Sequence, residues 1–412
     1  MKKLIVLIII LNLAYPSHAQ NVTIPDANFK AALIEEGVDS NADGEISYTE
    51  AEAVTSLDVT EKNISDLTGI EAFSNLESLE CYSNQLLSLD VSNNTALEYL
   101  GCYDNQLTSL NVSNNTVLEV LYCWRNQLTE MDVSNNTALL DLHCGGTHHG
   151  GGGNQLTSLD VTNNIALKYL SCANNQLTSL DVSDNTALEQ LSCDNNQLTS
   201  LDVSNNIALI GLDCYKNQLT TLDVTNNIAL KYLSCANNQL TSLNVSNNIL
   251  LWALYCGSNL FTTLDISNNL ALGTYSCWGP CIDIGDMPSL YEVCVWDDFS
   301  TASIDVNTEG SPNVNFTTEC SVTALSENQN KYSVTIYPNP ATDQVSIDFG
   351  QTVAATSVML FDLTGKLVYS ETIDNTDSQT HTINLSSLRK GLYLIRISND
   401  RFSVTEKVIK TE

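Results

Sequence analysis

Positive charge is scarce in this chain: its 412 residues carry 16 Lys and Arg against 48 Asp and Glu, a formal net charge of −32. A protein that grips a phosphate backbone needs a basic stripe, so the balance excludes nucleic acid as a partner. Histidine is scarce too, with five residues at 18, 143, 148, 149 and 381. No G-x-S-x-G, H-E-x-x-H or glycine-rich phosphate loop occurs, so the chain reads as something other than an enzyme. Charged residues make up 16% of the sequence, below the roughly 25% usual for soluble domains. The apolar fraction of 43% is ordinary and excludes a wholly disordered chain.

Long apolar runs are also missing. The longest, Leu4 to Ala14, follows Lys2 and Lys3 and precedes Ser17-His18-Ala19, which is the anatomy of a secretory signal peptide cleaved after Ala19. No later stretch approaches the roughly 18 apolar residues of a membrane helix, so direct membrane insertion is not expected. Charge is uneven along the remainder. Residues 331–412 hold 8 of the 16 basic side chains beside 9 acidic ones, whereas residues 20–330 hold 39 acidic against 6 basic. The last fifth is a separate, near-neutral unit.

What the sequence has in abundance is repetition. Cysteines fall at 81, 102, 123 and 144, then at 172, 193, 214, 235, 256 and 277, a 21-residue period broken by one 28-residue step. One unit reads Leu97-x-x-Leu100-x-Cys102-x-x-Asn105-x-Leu107-x-x-Leu110-x-Val112-x-x-Asn115, so both halves spell L-x-x-L-x-(C/V)-x-x-N. The apolar-x-apolar triplets have the period of a strand, and each Asn falls where the chain must turn and an amide side chain can satisfy backbone groups. The expected fold is mainly β, a solenoid with two short strands per 21-residue coil. Over residues 57–295 the pattern resembles the leucine-rich repeats, specifically the nested bacterial type in which both halves look like a repeat core.

Ten cysteines in register sit where Leu or Val would serve, in the inward slot of each first strand, and read as small buried hydrophobes with free thiols. Zinc would need paired C-x-x-C spacings, which are absent. Cys281, Cys294 and Cys320 lie outside the register, and a Cys294–Cys320 disulfide is expected to staple the segment 296–330, read as C-terminal cap and linker. The seven-residue excess between Cys144 and Asn154 carries His148 and His149 among glycines, close to His143. It reads as a glycine-rich turn with incidental histidines.

Residues 20–56 are expected to cover the N-terminal end of the stack with a small helical cap. Within them Asp39-Ser40-Asn41-Ala42-Asp43-Gly44-Glu45-Ile46-Ser47-Tyr48-Thr49-Glu50 fits D-x-N-x-D-G-x-I-x-x-x-E and resembles the twelve-position EF-hand calcium loop. That resemblance implies a single weak Ca2+ site, with side-chain ligands from Asp39, Asn41, Asp43 and Glu50, the carbonyl of Glu45, and Ser47 directly or through water. Residues 331–412 lose the rhythm and alternate as short strands, with landmarks at Tyr337-Pro338-Asn339-Pro340, Val358 to Val368, Leu388 to Ile397 and Lys407 to Lys410. They form an expected C-terminal β-sandwich. The four segments in order resemble the C-terminal sorting domain of the type IX secretion system of Bacteroidetes. This implies export to the cell surface or medium and removal of the domain by a surface sortase near residues 327–330.

The internal repeats also allow two faces to be compared. Outward positions of the L-D-V half are nearly uniform, Asp90, Asp132, Asp160, Asp181, Asp202, Asp223 and Asp265, as suits a solvated surface. Outward and flanking positions of the cysteine half vary and are rich in aromatics. Tyr82, Tyr103, Trp124, Tyr215 and Trp278 are therefore the expected ligand face of an exported binding or adhesion protein for an extracellular protein or glycan. The alternatives are a structural coat with calcium-dependent self-association and an enzyme whose site escapes the motif search.

Overall fold

A computed structural model describes residues 20–146, 152–275, 277, 279–320, 334–349, 356–362, 366–373, 380–399 and 402–411. The signal-peptide reading of 1–19, the His148-His149 turn, the cleavage region 327–330 and Trp278 lie outside the described residues.

The repeat builds one parallel sheet of twelve strands, running from Ser56–Asp58 to Val306–Asn307. Register is set by the central leucine of each strand: Leu79 pairs with Leu100, Leu121 with Leu142, and Leu142 with Leu170 across the long coil. The seven-residue excess of that coil therefore leaves the ladder in register. Inward leucines, valines and cysteines form a continuous core from Val22 to Val295. Two asparagine ladders hold the turns. In the cysteine half, the Asn105 side chain donates to the carbonyls of Cys81 and Cys102 and accepts from the N–H of Leu86. In the other half, Asn115 donates to the carbonyls of Val91 and Asn94. Each amide thus satisfies backbone groups that the tight coil would leave buried and unpaired.

Three expectations are corrected. The second strand of each coil is a sheet only at the C-terminal end, where Thr263–Asp265, Glu292–Cys294 and Asn315–Thr317 pair. Elsewhere the described coils keep isolated bridges, Asp90 to Asn111 and Asn244 to Asp265. The aspartates there close turns: Asp90, Asp181 and Asp202 each accept the N–H two residues on at 2.9 Å, as Asp265 also does at the end of its strand. Next, the ladder runs past residue 295, because the last coils lengthen and leave the 21-residue register. Leu254 pairs with Ile282, and Ile282 with Val306. For the same reason Cys277 falls outside the inward column, where Ile284 is buried instead, and Cys277 is bonded to Cys281. Nine ladder cysteines, Cys81 to Cys256, are free and buried. Cys294 and Cys320 are joined in a second disulfide.

The N-terminal cap is the helix Ala27–Glu35, started by Asp26, with Phe29 and Leu33 in the core. Asp26 also accepts from the N–H and hydroxyl of Ser65, which ties the cap to the first coil. The C-terminal unit packs a three-stranded antiparallel sheet, containing Gln344–Asp348, against a four-stranded one containing Thr356–Phe361 and Gly391–Asn399. The two share a core that includes Val345, Ile347, Leu360 and Ile395. No helix among the described residues is long and apolar enough to cross a membrane.

Candidate functional site

Strand alternation puts each central leucine inward and its neighbours outward, and the outward side chains form columns across the sheet. In one column, backbone bonds from Ser83 to Tyr103 and from Asp104 to Trp124 hold successive coils in register. The result is a stack of rings. Tyr82 and Tyr103 lie 4.3 Å apart at 7°, and Tyr103 and Trp124 lie 4.0 Å apart at 13°. The next column adds Tyr122 and His143, with centroids 4.9 Å apart, and Tyr99 meets Tyr122 edge-on at 5.7 Å.

Asp141 fixes this cluster, accepting from the Tyr122 hydroxyl at 2.7 Å and lying 3.1 Å from His143 Nε2. Burial, and for Tyr122 the bond to Asp141, pushes the hydroxyls of Tyr103 and Tyr122 up. Burial takes Tyr99 to about 12. All three remain protonated donors. Tyr82, Tyr103 and Trp124 are thus brought together as the sequence suggests, whereas Tyr215 stands apart.

Tyr215 walls a second feature. Farther along its column the side chains shrink to Ala236, Gly257 and Gly285, leaving an open groove of 440 Å³ bordered by Tyr215, Tyr232, Tyr255, Asp283, Asp286 and Asn307. Tyr232 and Tyr255 are tilted by 47°, so their faces are not covered by one another. Sequence reasoning missed Asp283, Asp286 and Asn307, because the lengthened coil hides their columns. It also missed Asp141, whose place beside Tyr122 follows only from strand pairing.

The sheet face is acidic. Glu80, Asp141, Asp194, Asp213 and Asp283 all stand on or beside its strands, and burial together with Asp58 pushes Glu80 up. The ladder thiols behind it are inert. Burial raises every one of them, Cys102 and Cys144 to about 12, so the nucleophilic thiolate is not formed near neutral pH.

The loop 39–50 turns its oxygens onto its own backbone. Asp39 accepts from Asp43 and Gly44, Asn41 from Asp43, and Asp43 from Glu45. Both oxygens of Glu50 are engaged, one by the N–H groups of Ser40 and Asn41 and the Ser40 hydroxyl, the other by the N–H and hydroxyl of Ser47. Glu45 pairs with Lys30 at 2.7 Å. Among the described residues no three His, Cys, Asp or Glu side chains converge as a metal set. The donors are hard oxygens suited to calcium, and a cation there would have to draw Glu50 off its amides.

Comparison with known proteins agrees with this architecture. Residues 335–411 match the family model described as secretion system C-terminal sorting domain, and residues 165–206 match leucine rich repeats, two copies. The functional domain of InlJ from Listeria monocytogenes, described as including a cysteine ladder, superposes with a TM-score of 0.57 at 24% identity, covering 95% of this chain and 99% of that one. Internalin C2 of the same organism gives 0.43 at 20% identity, with 60% and 98% covered. The LRR ectodomain of the Arabidopsis thaliana receptor kinase GASSHO1/SCHENGEN3 gives 0.48 at 18%, with 66% and 36% covered. No curated protein matches the chain. The protein is a leucine-rich-repeat solenoid built to be exported. Its C-terminal unit is a type IX secretion sorting domain, which directs it to the cell surface or the medium.

Proposed function

We propose that the exported solenoid binds an extracellular protein of basic surface across the outward face of its twelve-stranded sheet, anchored on Tyr82, Tyr103 and Trp124. The carrying observation is the ring stack. Tyr103 has a neighbour on each face, so a sugar ring has no free face to lie on there. What the stack presents is a row of edges and polar tips, which suits the rim and anchors of a protein interface. The rings are pre-ordered by the strands, so little further entropy is lost on binding. The carboxylates around them favour a basic partner and speed its approach at low salt.

Glycan recognition is a second reading, favoured by the groove at Tyr215, Tyr232 and Tyr255, where tilted rings leave faces open above a glycine floor.

The test is retention of extracellular proteins and glycans by wild type, by Tyr103→Ala with Trp124→Ala, and by Asp132→Asn with Asp181→Asn. The aromatic pair should weaken protein retention by about 2 kcal/mol, roughly thirtyfold, with the acidic pair close to wild type. Equal losses in variants of unchanged circular dichroism would move the binding face elsewhere. Glycan retention that falls on Tyr232→Ala and survives the loss of Tyr103 would select the second reading.

A further inference from the structure

One position of the repeat changes character along the solenoid. After the Asn-Asn or Asp-Asn pair that closes each Leu-Asp-Val half, or the same half reading Leu-Asn-Val, Met-Asp-Val or Leu-Asp-Ile, the chain has Thr95, Thr116, Thr137, Ile165, Thr186, Ile207, Ile228, Ile249 and Leu270. The last four are consecutive coils, and all are apolar. Ile228 is 1% exposed although it sits on a turn, whereas the isolated Ile165 is 62% exposed. The difference is cover: Ile228 clusters with Phe361 and Leu394 of the sorting domain, and Ile207, Ile249 and Met359 pack around them.

The sorting domain shows the complementary anomaly. A sheet with one wet face should alternate apolar and polar residues. The strand Thr356–Phe361 instead reads Val358-Met359-Leu360-Phe361, with Val358 and Leu360 in the domain's own core and Met359 and Phe361 on the other side. The paired strand Gly391–Asn399 does the same, with Ile395 and Ile397 inward and Leu394 and Arg396 outward. Arg396 is 8% exposed, and its guanidinium donates to the side-chain oxygen of Asn226 in the turn that carries Ile228.

We propose that coils 205–250 carry a docking stripe for the chain's own sorting domain, seating the outer face formed by Met359, Phe361, Leu394 and Arg396. The solenoid then holds its sorting domain in cis until the domain is removed, and removal uncovers the isoleucines. This surface lies apart from the aromatic face, so the proposal stands independently of the partner reading.

The test is hydroxyl-radical footprinting of the full chain. Ile207→Thr with Ile228→Thr and Ile249→Thr installs the residue that other coils already use, so the solenoid keeps its fold. Oxidation of Met359 and Phe361 should rise several-fold while Leu360 and Ile395 stay protected, and small-angle scattering should show a larger radius of gyration. Ile165→Thr should change neither. Unchanged labelling in the triple variant, or an equal response to Ile165→Thr, would overturn the proposal. A rise that includes Leu360 and Ile395 would also overturn it, because the two units would then share one fold instead of docking.

Discussion

The two halves of each coil spell the same pattern and become different surfaces. In the cysteine half, a three-residue strand centred on the leucine pairs with both neighbours, and its outward side chains vary along the stack. In the other half, Leu-Asp-Val pairs as a sheet only at the C-terminal end, and its aspartate accepts the N–H two residues on. Its outward positions stay almost constant along the stack. The inward residues meet the same demand twice, filling a core of fixed width. Only the outward ones separate a surface that can specialise from one whose side chain is occupied in closing its own turn.

The largest expected effect tests the two asparagine ladders against each other. Asn217 donates to the carbonyls of Cys193 and Cys214 and accepts from Leu198. Asn206 donates to Val182 and Asn185, and its buried oxygen has no partner. Asn217→Ala should therefore cost about 3 kcal/mol and Asn206→Ala about 2, since each stranded buried group is worth about 1. Urea unfolding of the two variants measures the gap. Equal losses would mean that the cysteine half gains nothing from its extra bond.

Carboxylates extend the comparison to the cap. Glu50 is held down to about 2, by the Ser47 backbone N–H foremost, from an ordinary value of 4.5. A lowered folded value gives stability that is full above pH 4.5 and is lost as pH falls toward 2. The protection factors of the Ser40 and Ser47 amides, which correct exchange for its intrinsic pH dependence, should fall over that window in wild type and stay constant in Glu50→Gln. Calcium tests the other use of the loop. At about 100 times Kd it should add roughly 2.7 kcal/mol to the cap, and Asp39→Ala with Glu50→Ala should abolish the gain. Identical wild-type melts in calcium and in chelator would leave Glu50 as a backbone cap alone.

The period, the inward residues and the turn asparagines were all legible in the sequence, because each is repeated and each answers a backbone or core requirement. The sorting domain was legible from four ordered segments. What stayed hidden depends on spatial neighbours that spacing does not report. Cys277 keeps the 21-residue count but loses its slot to Ile284, because the coil that contains it runs long, with Leu254 paired to Ile282. Asp141 looks like one more outward acid until strand pairing sets it beside Tyr122. Ile228 looks like a tolerated exchange for threonine until Phe361 covers it.

A smaller effect concerns the inward column that gives the halves their different names. Nine thiols are buried and free, so denatured, unreduced protein should titrate nine, and native protein almost none. Fewer than six would mean bridges run through the stack. Cys193→Val places the partner half's residue in the cysteine slot and should cost under about 1.5 kcal/mol, as volume-conserving core exchanges do. A larger loss would show that the two inward columns differ in shape as well as in residue.

The smallest effect isolates charge within the acidic column. Hydrogen bonds from the backbone and hydroxyl of Ser183 lower the Asp181 carboxyl, so the turn favours the charged form. Asp160 and Asp202 are lowered in the same way by their bonds to Thr162 and Ser204, and repulsion from Asp181 offsets a part of that lowering. The column therefore keeps charge for the turn and is strained by charge between turns. Asn111 and Asn244 show that an amide can do the first job, since each accepts the N–H two residues on, at 3.0 and 3.1 Å. Asp181→Asn should keep the turn, remove the repulsion and raise Tm slightly at low salt. Because exposed charges are screened over about 3 Å at 1 M ionic strength, the rise should vanish there. A rise that persists at high salt would assign the effect to the turn, and a fall at low salt would show that the charged acceptor outweighs the repulsion.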